Sequence, residues 1–348
     1  MKKKSFKKMA LTLLTVILIM SLILFFIFPI KGWVVESPGH AEPLTEIVTV
    51  NGKSEKYRGD LMLTTVRLRQ ATPYLWLKSK VDEFTQLEKQ EEVMGKANNE
   101  EYAKLQKYYM ETSENNAKAV ALKLAHKQYH FQFQGIYVLS IDKQSPFKKK
   151  LKVGDLITAF NDKKFATEKD ALSYIKKQKV GQNMTLTIQR HKKTMKVTAP
   201  LMKMKETNQA GIGIALVTKS SVASKEKIKI DAGDIGGPSA GLMFTLQLYE
   251  LLTGTNLQQG KEIAGTGEVS RNGEVLRIGG IQDKVAAAEK EGAQIFLAPD
   301  DEITKEMKQY DKKIKSNYEE AKAIAKEKGY RIKVVPIKTV KQAIQYLQ

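Results

Sequence analysis

The chain of 348 residues contains no cysteine, which removes disulfide scaffolds, thiolate metal sites and cysteine nucleophiles together. Histidine is nearly as scarce: the 4 present are His40, His126, His130 and His191, and none follows. A hydrolytic site in the last part of the chain therefore has no imidazole, and a Ser-His-Asp triad cannot be assembled within it. The phosphate-cradling pattern GxxxxGK[ST] is missing too, because Gly52-Lys53-Ser54 lacks the upstream glycine. An ATP-driven motor in the same chain is unsupported. With 9 prolines, no low-complexity tract, 42% hydrophobic and 28% charged residues, the composition is that of folded domains, two or three at this length. No metal and no cofactor are expected.

Acidic charge is in short supply. The formal net charge is +20, which raises the question of a polyanionic partner. The lysines are spread over every segment and form no aromatic-interleaved stripe, so a generally basic surface is the reading and no nucleic acid is expected as partner. A basic surface protein that binds anionic polymer remains an alternative.

The first thirty residues set the topology. Lys2, Lys3, Lys4, Lys7 and Lys8 precede an apolar, uncharged run from Met9 to Ile30, long enough at about 1.5 Å per residue to cross a hydrocarbon core of about 30 Å. A cleavable signal peptide has an apolar region of about 7 to 15 residues and a small-residue cleavage site. Here the run is longer and leads into Pro29, Lys31, Gly32 and Trp33, which favours an uncleaved transmembrane helix (9–30) behind a cytoplasmic basic N-terminus (1–8). By the positive-inside rule everything after Lys31 is expected outside the cell membrane, with Trp33 at the interface.

Residues 34–127 read as an extracellular mixed α+β spacer. Short strands run from Val34 to about Arg67, with Leu61 to Leu68 apolar and β-branched, and two or three surface helices are expected between Lys78 and Lys127. No chemistry is assigned there.

Residues 128–205 read as a compact β-rich unit. The run from Gly135 to Ile141 is a strand, Ser145-Pro146 begins a turn, and Leu151-Lys152-Val153-Gly154-Asp155-Leu156-Ile157 makes a tight Gly-Asp corner. Thr167 is placed to cap a helix running to Gln178, and strands at 184–190 and 195–201 close the unit. This order resembles a PDZ domain. The resemblance implies that an extended peptide pairs with a strand edge at Gly135, Ile136 and Tyr137; a PDZ-shaped packing unit without a ligand is the other reading.

The densest pattern lies in residues 206–348. In Ile228-Lys-Ile-Asp-Ala-Gly-Asp-Ile-Gly-Gly-Pro-Ser239-Ala-Gly-Leu a strand ends in a glycine-rich turn before an apolar helix, Ala240 to Leu252, stopped by Thr253-Gly254. Ser239 then sits at a helix N-terminus, where unpaired N–H groups can stabilise an oxyanion, although serine is also a common N-cap. Farther on, Gly279-Gly280 breaks the chain before a helix from Gln282 to Glu291. Lys284 falls in its first turn beside Ala287 and Ala288, and burial plus the helix N-terminus would both lower its pKa toward what a neutral-pH base needs. GPSAG at 237–241, TGEV at 266–269, GxVxxIGG at 273–280 and KVAA at 284–287, in that order, resemble the proteolytic domain of Lon peptidases. That resemblance implies an α/β Lon-type proteolytic domain, Ser239 as nucleophile, Lys284 as base and Thr266 orienting the amine. ATP-dependent members of the family carry an aspartate three residues before the serine, where this chain has Gly236. Anchor, PDZ and Lon-type domain without an ATPase resemble the secreted-side PDZ–Lon proteases of Gram-positive bacteria, some of which trim peptide pheromones. The substrate expected from the resemblance is an exported peptide or unfolded protein segment, and a homo-oligomeric ring goes with the family. A non-catalytic PDZ scaffold at the cell surface is the rival.

Overall fold

The computed structural model describes residues 2–348 apart from 55, 56, 96 and 206, without the side chains of 2–5 and 310. Helix α1 (Lys2–Ile27) carries the apolar run; its stretch Phe6–Ile27 has mean hydropathy 2.9 and none of it is buried. Length and composition suit it to cross a bilayer as an anchor or to act as a signal sequence. Pro29 forbids its continuation. Lys2, Lys3 and Lys4 of the expected basic terminus lie outside the described side chains, while Lys7 and Lys8 are exposed.

Beyond α1 come strands β1 (Trp33–Pro43), β2 (Val48–Val50) and β3 (Leu61–Gln70), the short helix α2 (Pro73–Lys78), strand β4 (Gln86–Lys89) and the 26-residue helix α3 (Asn99–Leu124). A reciprocal capping box between Asn98 and Glu101 starts α3 by satisfying amides the helix leaves unpaired. The helices of this region were expected on the surface. Instead α3 buries Met110, Ala117, Val120 and Ala121 in the main core.

The chain then leaves to build a second unit from β5 (Tyr129–Ile141), β6 (Leu156–Phe160), helix α4 (Glu168–Lys176), β7 (Asn183–Arg190), β8 (Lys193–Pro200) and β9 (Ile214–Ser224). Its antiparallel sheet has the order β9-β5-β6-β7-β8 and its own core around Ile136, Phe147, Ile157, Phe160 and Leu186. Thr167 caps α4 by accepting from the Asp170 amide. A boundary after residue 205 would cut off β9, so the unit extends to Ser224; residue 206 itself is outside the described set.

After this excursion the chain returns through β10 (Ile228–Ile230), which pairs with β2, and continues α5 (Gly241–Thr253), β11 (Ile263–Gly265), α6 (Ile281–Lys290), β12 (Ile295–Pro299), α7 (Asn317–Glu327), β13 (Lys333–Ile337) and α8 (Val340–Leu347). The central sheet runs β13-β12-β11-β3-β1-β4. β11 lies parallel to both β12 and β3, and β1 is antiparallel to β3 and β4.

Residues 34–127 are therefore no spacer. They supply three strands of the sheet and the long helix that packs beneath the glycine-rich turn. β11 is only three residues long and would be an open edge if the last 140 residues folded without β3, and an unpaired edge is a liability.

Both faces of the sheet are covered, which is why its strands are apolar in both parities. Leu61, Leu63, Ile263, Ile295 and Leu297 meet α3, α5 and α8; Met62, Ala264, Phe296 and Ala298 meet α6 and α7. Helices α5 and α6 thus approach from opposite faces, and their N-termini converge where β11 ends.

Candidate active site

Three polar side chains meet at that point. Lys284 Nζ lies 2.6 Å from Ser239 Oγ and 3.1 Å from Thr266 Oγ1. Thr266 directly follows β11, and its hydroxyl donates to the Ser239 carbonyl at 3.1 Å, so one residue holds both partners. The Gly267 amide donates to the same carbonyl at 2.8 Å, and the Leu242 amide donates to Gly267 O at 2.9 Å. Ser239 is partly exposed, whereas Lys284 and Thr266 are 3% and 1% exposed.

Lys284 enters from the first turn of α6. Gly280, at φ 65°, begins that turn, and a Cβ there would meet Glu36 Oε1 and Val66 at 2.6 Å, so the position admits only glycine. The approach is pinned by Asn317, whose amide side chain accepts from Ile278 N at 2.8 Å and donates to Ile278 O at 3.2 Å. Arg277 adds ion pairs to Asp301 and Glu320.

Burial drives the Lys284 amine down to about 7 from its ordinary value of 10.5, and the Glu36 carboxylate opposes that only in part. A cation at a buried helix N-terminus is costly. Near neutral pH a substantial share of the amine is therefore uncharged, and an uncharged amine accepts a proton. The neighbouring Asp283 carboxyl is pushed up to about 7 by burial and by Glu36, Glu88 and Asp82.

The turn that carries Ser239 is held from below by α3. Gln106 O accepts from Gly237 N at 2.9 Å, and Ser113 Oγ donates to Pro238 O at 2.8 Å. A Cβ on Gly236 would meet Gln106 Cβ at 2.7 Å, so the aspartate that the ATP-dependent family carries at this position has no room here. Among the described residues the amides of Ser239 and Ala240 donate no hydrogen bond, leaving two donors beside the hydroxyl to receive an oxyanion. Sequence reasoning missed Gln106, Ser113 and Glu36, since nothing local ties a residue of α3 or β1 to a turn so far along the chain.

A groove of about 760 Å3 passes over the pair, lined by Leu63 to Leu68 of β3, Met110, the Asp231–Gly236 turn, Ser239 and Lys284. β3 pairs with β11 only through Leu61, Met62 and Leu63. From Thr64 onward that edge has no strand partner among the described residues and faces the groove, a site for an extended peptide to add as a strand.

Thr266→Val removes a hydroxyl from a buried amine while keeping the shape. It is expected to lower kcat by about 10- to 100-fold, the loss of roughly 1–3 kcal/mol when a buried polar group loses its partner, with KM little changed; steady-state kinetics on a short peptide checks it.

The sheet of the second unit corrects the expected peptide site. Gly135, Ile136 and Tyr137 lie in β5, which is paired on both sides: with β9 through Lys219, Thr218 and Val217, and with β6 through Ile157 and Leu156. They offer no edge. Gly135 is there for packing, since a Cβ would meet Ile157 O at 2.4 Å. The edge strands of this sheet are β9 and β8. An apolar cleft between β9 and α4, about 170 Å3, is lined by Ile136, Leu172, Ile175, Gly211, Gly213 and Leu216. The signal for it was Gly211-Ile212-Gly213 just ahead of an apolar strand. Helix α3 covers the far end of β9, with Thr112 Oγ1 donating to Thr218 O at 3.4 Å and Asn115 Nδ2 to Ser220 O at 2.9 Å.

Residues 98–201 match the family model of the PDZ domain, and residues 186–328 that of the Lon protease (S16) C-terminal proteolytic domain. The Lon protease of Neorickettsia sennetsu is 30% identical over 110 residues, 32% of this chain and 11% of that protein. The Lon protease of Trichlorobacter lovleyi is 28% identical over 120 residues, 34% of this chain and 13% of that protein. The chain thus spans about a tenth of the length of the curated relatives it matches. Among solved structures, the PDZ domain of an SdrC-like protein from Listeria monocytogenes is 29% identical, covering 24% of this chain and 90% of that one, with a TM-score of 0.24. The chain thus carries a stretch similar to a PDZ domain and one similar to the proteolytic domain of Lon proteases.

Proposed function

We propose that the chain is an ATP-independent serine endopeptidase, anchored by α1, that cleaves exported peptides or flexible protein segments outside the membrane, signalling pheromones among them. The observation that carries the reading is the 2.6 Å contact between the Ser239 hydroxyl and a buried Lys284 amine held near neutrality.

In this reading Lys284 Nζ takes the Ser239 proton as Oγ attacks the scissile carbonyl. The oxyanion forms beside the Ser239 and Ala240 amides. Lys284 then gives its proton to the leaving amine; in the second half a water attacks the acyl carbon while passing a proton to Nζ, and Nζ returns that proton to Ser239 Oγ as the acid product leaves. Thr266 is a positioning residue for Nζ. A substrate lying along the open edge of β3 would present its carbonyl to Oγ, and with no motor to unfold it that substrate has to be short or already extended. The β9–α4 cleft takes an extended peptide tail as a second grip. A ring of copies belongs to the same proposal.

An acylating serine probe, followed by peptide mass mapping, tests it. Modification should fall on Ser239, be blocked by a competing peptide, and disappear in the Lys284→Met variant. Labelling that ignores Ser239, with peptide binding intact at the β9–α4 cleft, would leave a binding scaffold instead.

A further inference from the structure

Among the described residues, half of the exposed large apolar side chains beyond Phe28 crowd into residues 74–81: Tyr74, Trp76, Leu77 and Val81, the last 85% exposed. They belong to α2 and the turn after it, and α2 buries none of its residues. A short helix on a soluble surface has no reason to spend a tryptophan, a tyrosine and a leucine on water.

Its location explains the composition. The chain leaving α1 is tied to the residues just before α2, with Ile30 N donating to Ala71 O at 2.7 Å and Gln70 Nε2 to Ile30 O and Trp33 O at 3.0 and 2.8 Å. No slack separates the two helices. The Tyr74 ring lies 4.9 Å from that of Phe26 and 6.3 Å from that of Phe25, both in the last turn of α1. Whatever depth that turn reaches, α2 reaches with it. Lys80 stands over the Trp76 ring at 5.3 Å and Lys78 pairs with Asp82 at 3.1 Å, the apolar body and charged rim favoured at a headgroup boundary.

We infer that α2 and its following turn form a second membrane-contacting element, seated in the headgroup–acyl boundary of the bilayer that α1 crosses. The inference rests on the reading of α1 as a retained anchor. It also constrains the substrate. β3 carries α2 at its Gln70 end and borders the groove at Thr64, about 20 Å away at roughly 3.4 Å per residue. The groove therefore opens close above the bilayer, and segments a short way outside the membrane are the chains it meets.

The test uses the full chain reconstituted in phosphatidylcholine vesicles. The chain has 2 tryptophans, so Trp33→Phe leaves Trp76 as the sole reporter. Its emission should be blue-shifted and lose about half its intensity or more with lipids brominated near the headgroup, and less with bromine deep in the chain. Because the chain lacks cysteine, Leu77→Cys carrying an environment-sensitive dye gives an independent reading. A water-like, unquenched Trp76 and a water-like dye at 77, in protein that resists alkaline carbonate extraction, overturn the proposal while sparing the anchor. Release by carbonate removes the anchor, and with it the proposal, whether or not Trp76 had been quenched. Trp76→Ala with Leu77→Ser should keep cleavage of a soluble peptide unchanged and lower that of a vesicle-tethered one about tenfold; equal rates on both substrates count against it.

Discussion

Ser239→Ala and Lys284→Met are each expected to abolish peptide cleavage, lowering kcat by on the order of 10^4-fold or more, as removal of one member of a nucleophile–base pair does elsewhere. The losses should not add: with the hydroxyl gone the amine has nothing to deprotonate, and with the amine gone no other described side chain hydrogen-bonds the hydroxyl. His40, which contacts Arg67 at 2.7 Å and Glu291 at 3.6 Å, is occupied elsewhere in the groove. The two variants should differ in stability. Ser239→Ala removes a partly exposed hydroxyl and should shift Tm little. Lys284→Met replaces an ionisable group buried at a helix N-terminus by an apolar one of similar length, and should raise Tm while activity is lost. Residual cleavage in Lys284→Met within tenfold of wild type would sink the dyad.

The second large effect is on pH. With the Lys284 amine at about 7, only the neutral form is a base, so log kcat/KM should climb with unit slope below about pH 7 and level off above it. At pH 5 the rate should be about 100-fold below the plateau, a factor of ten per unit. Glu36→Gln removes the carboxylate that holds the amine up, and the acid limb should move to lower pH. Asp283 titrates in the same range, so an acid limb that persists in Asp283→Asn assigns it to the lysine. The linkage sign for stability follows from the same shift. Between about pH 7 and 10.5 the unfolded lysine holds a proton that the folded one lacks, so this residue's contribution to stability rises with pH across that window. The Tm advantage of Lys284→Met should accordingly be greatest below pH 7 and shrink toward pH 10. A rate profile flat from pH 5 to 9 would contradict the buried neutral amine.

Much of the site was legible because its parts are local. The turn Gly236-Gly237-Pro238-Ser239 and the break at Gly279-Gly280 mark two helix starts by their backbone demands alone, and the resemblance to the Lon proteolytic domain is what singled out Ser239 and Lys284 as the pair. The helices fell close to expectation: Ala240 to Leu252 is observed as Gly241–Thr253, with Gly254 left-handed at φ 73°, and Gln282 to Glu291 as Ile281–Lys290. What was not legible is non-local. The pairing of Leu61–Leu63 with Ile263–Gly265 joins residues some 200 positions apart, and no periodicity within either strand reports it. The same holds for Ser113 under Pro238. For Gly135, Ile136 and Tyr137 the strand was correctly placed, but whether a strand is an edge depends on what else pairs with it, and β9 arrives from later in the chain.

Residue identity and spacing by themselves determined the chemistry available: no thiol, no late histidine, a serine and a lysine at two helix starts, and an apolar helix at the front. Only the tertiary structure decided that the chain before the PDZ unit and the chain after it close one sheet, that the lysine amine is dry and 2.6 Å from the hydroxyl, and that the Gly135–Tyr137 edge is covered. Hydrogen-bonding edges and solvent exclusion belong to the assembled packing, because each requires surfaces from distant segments to come together before it exists.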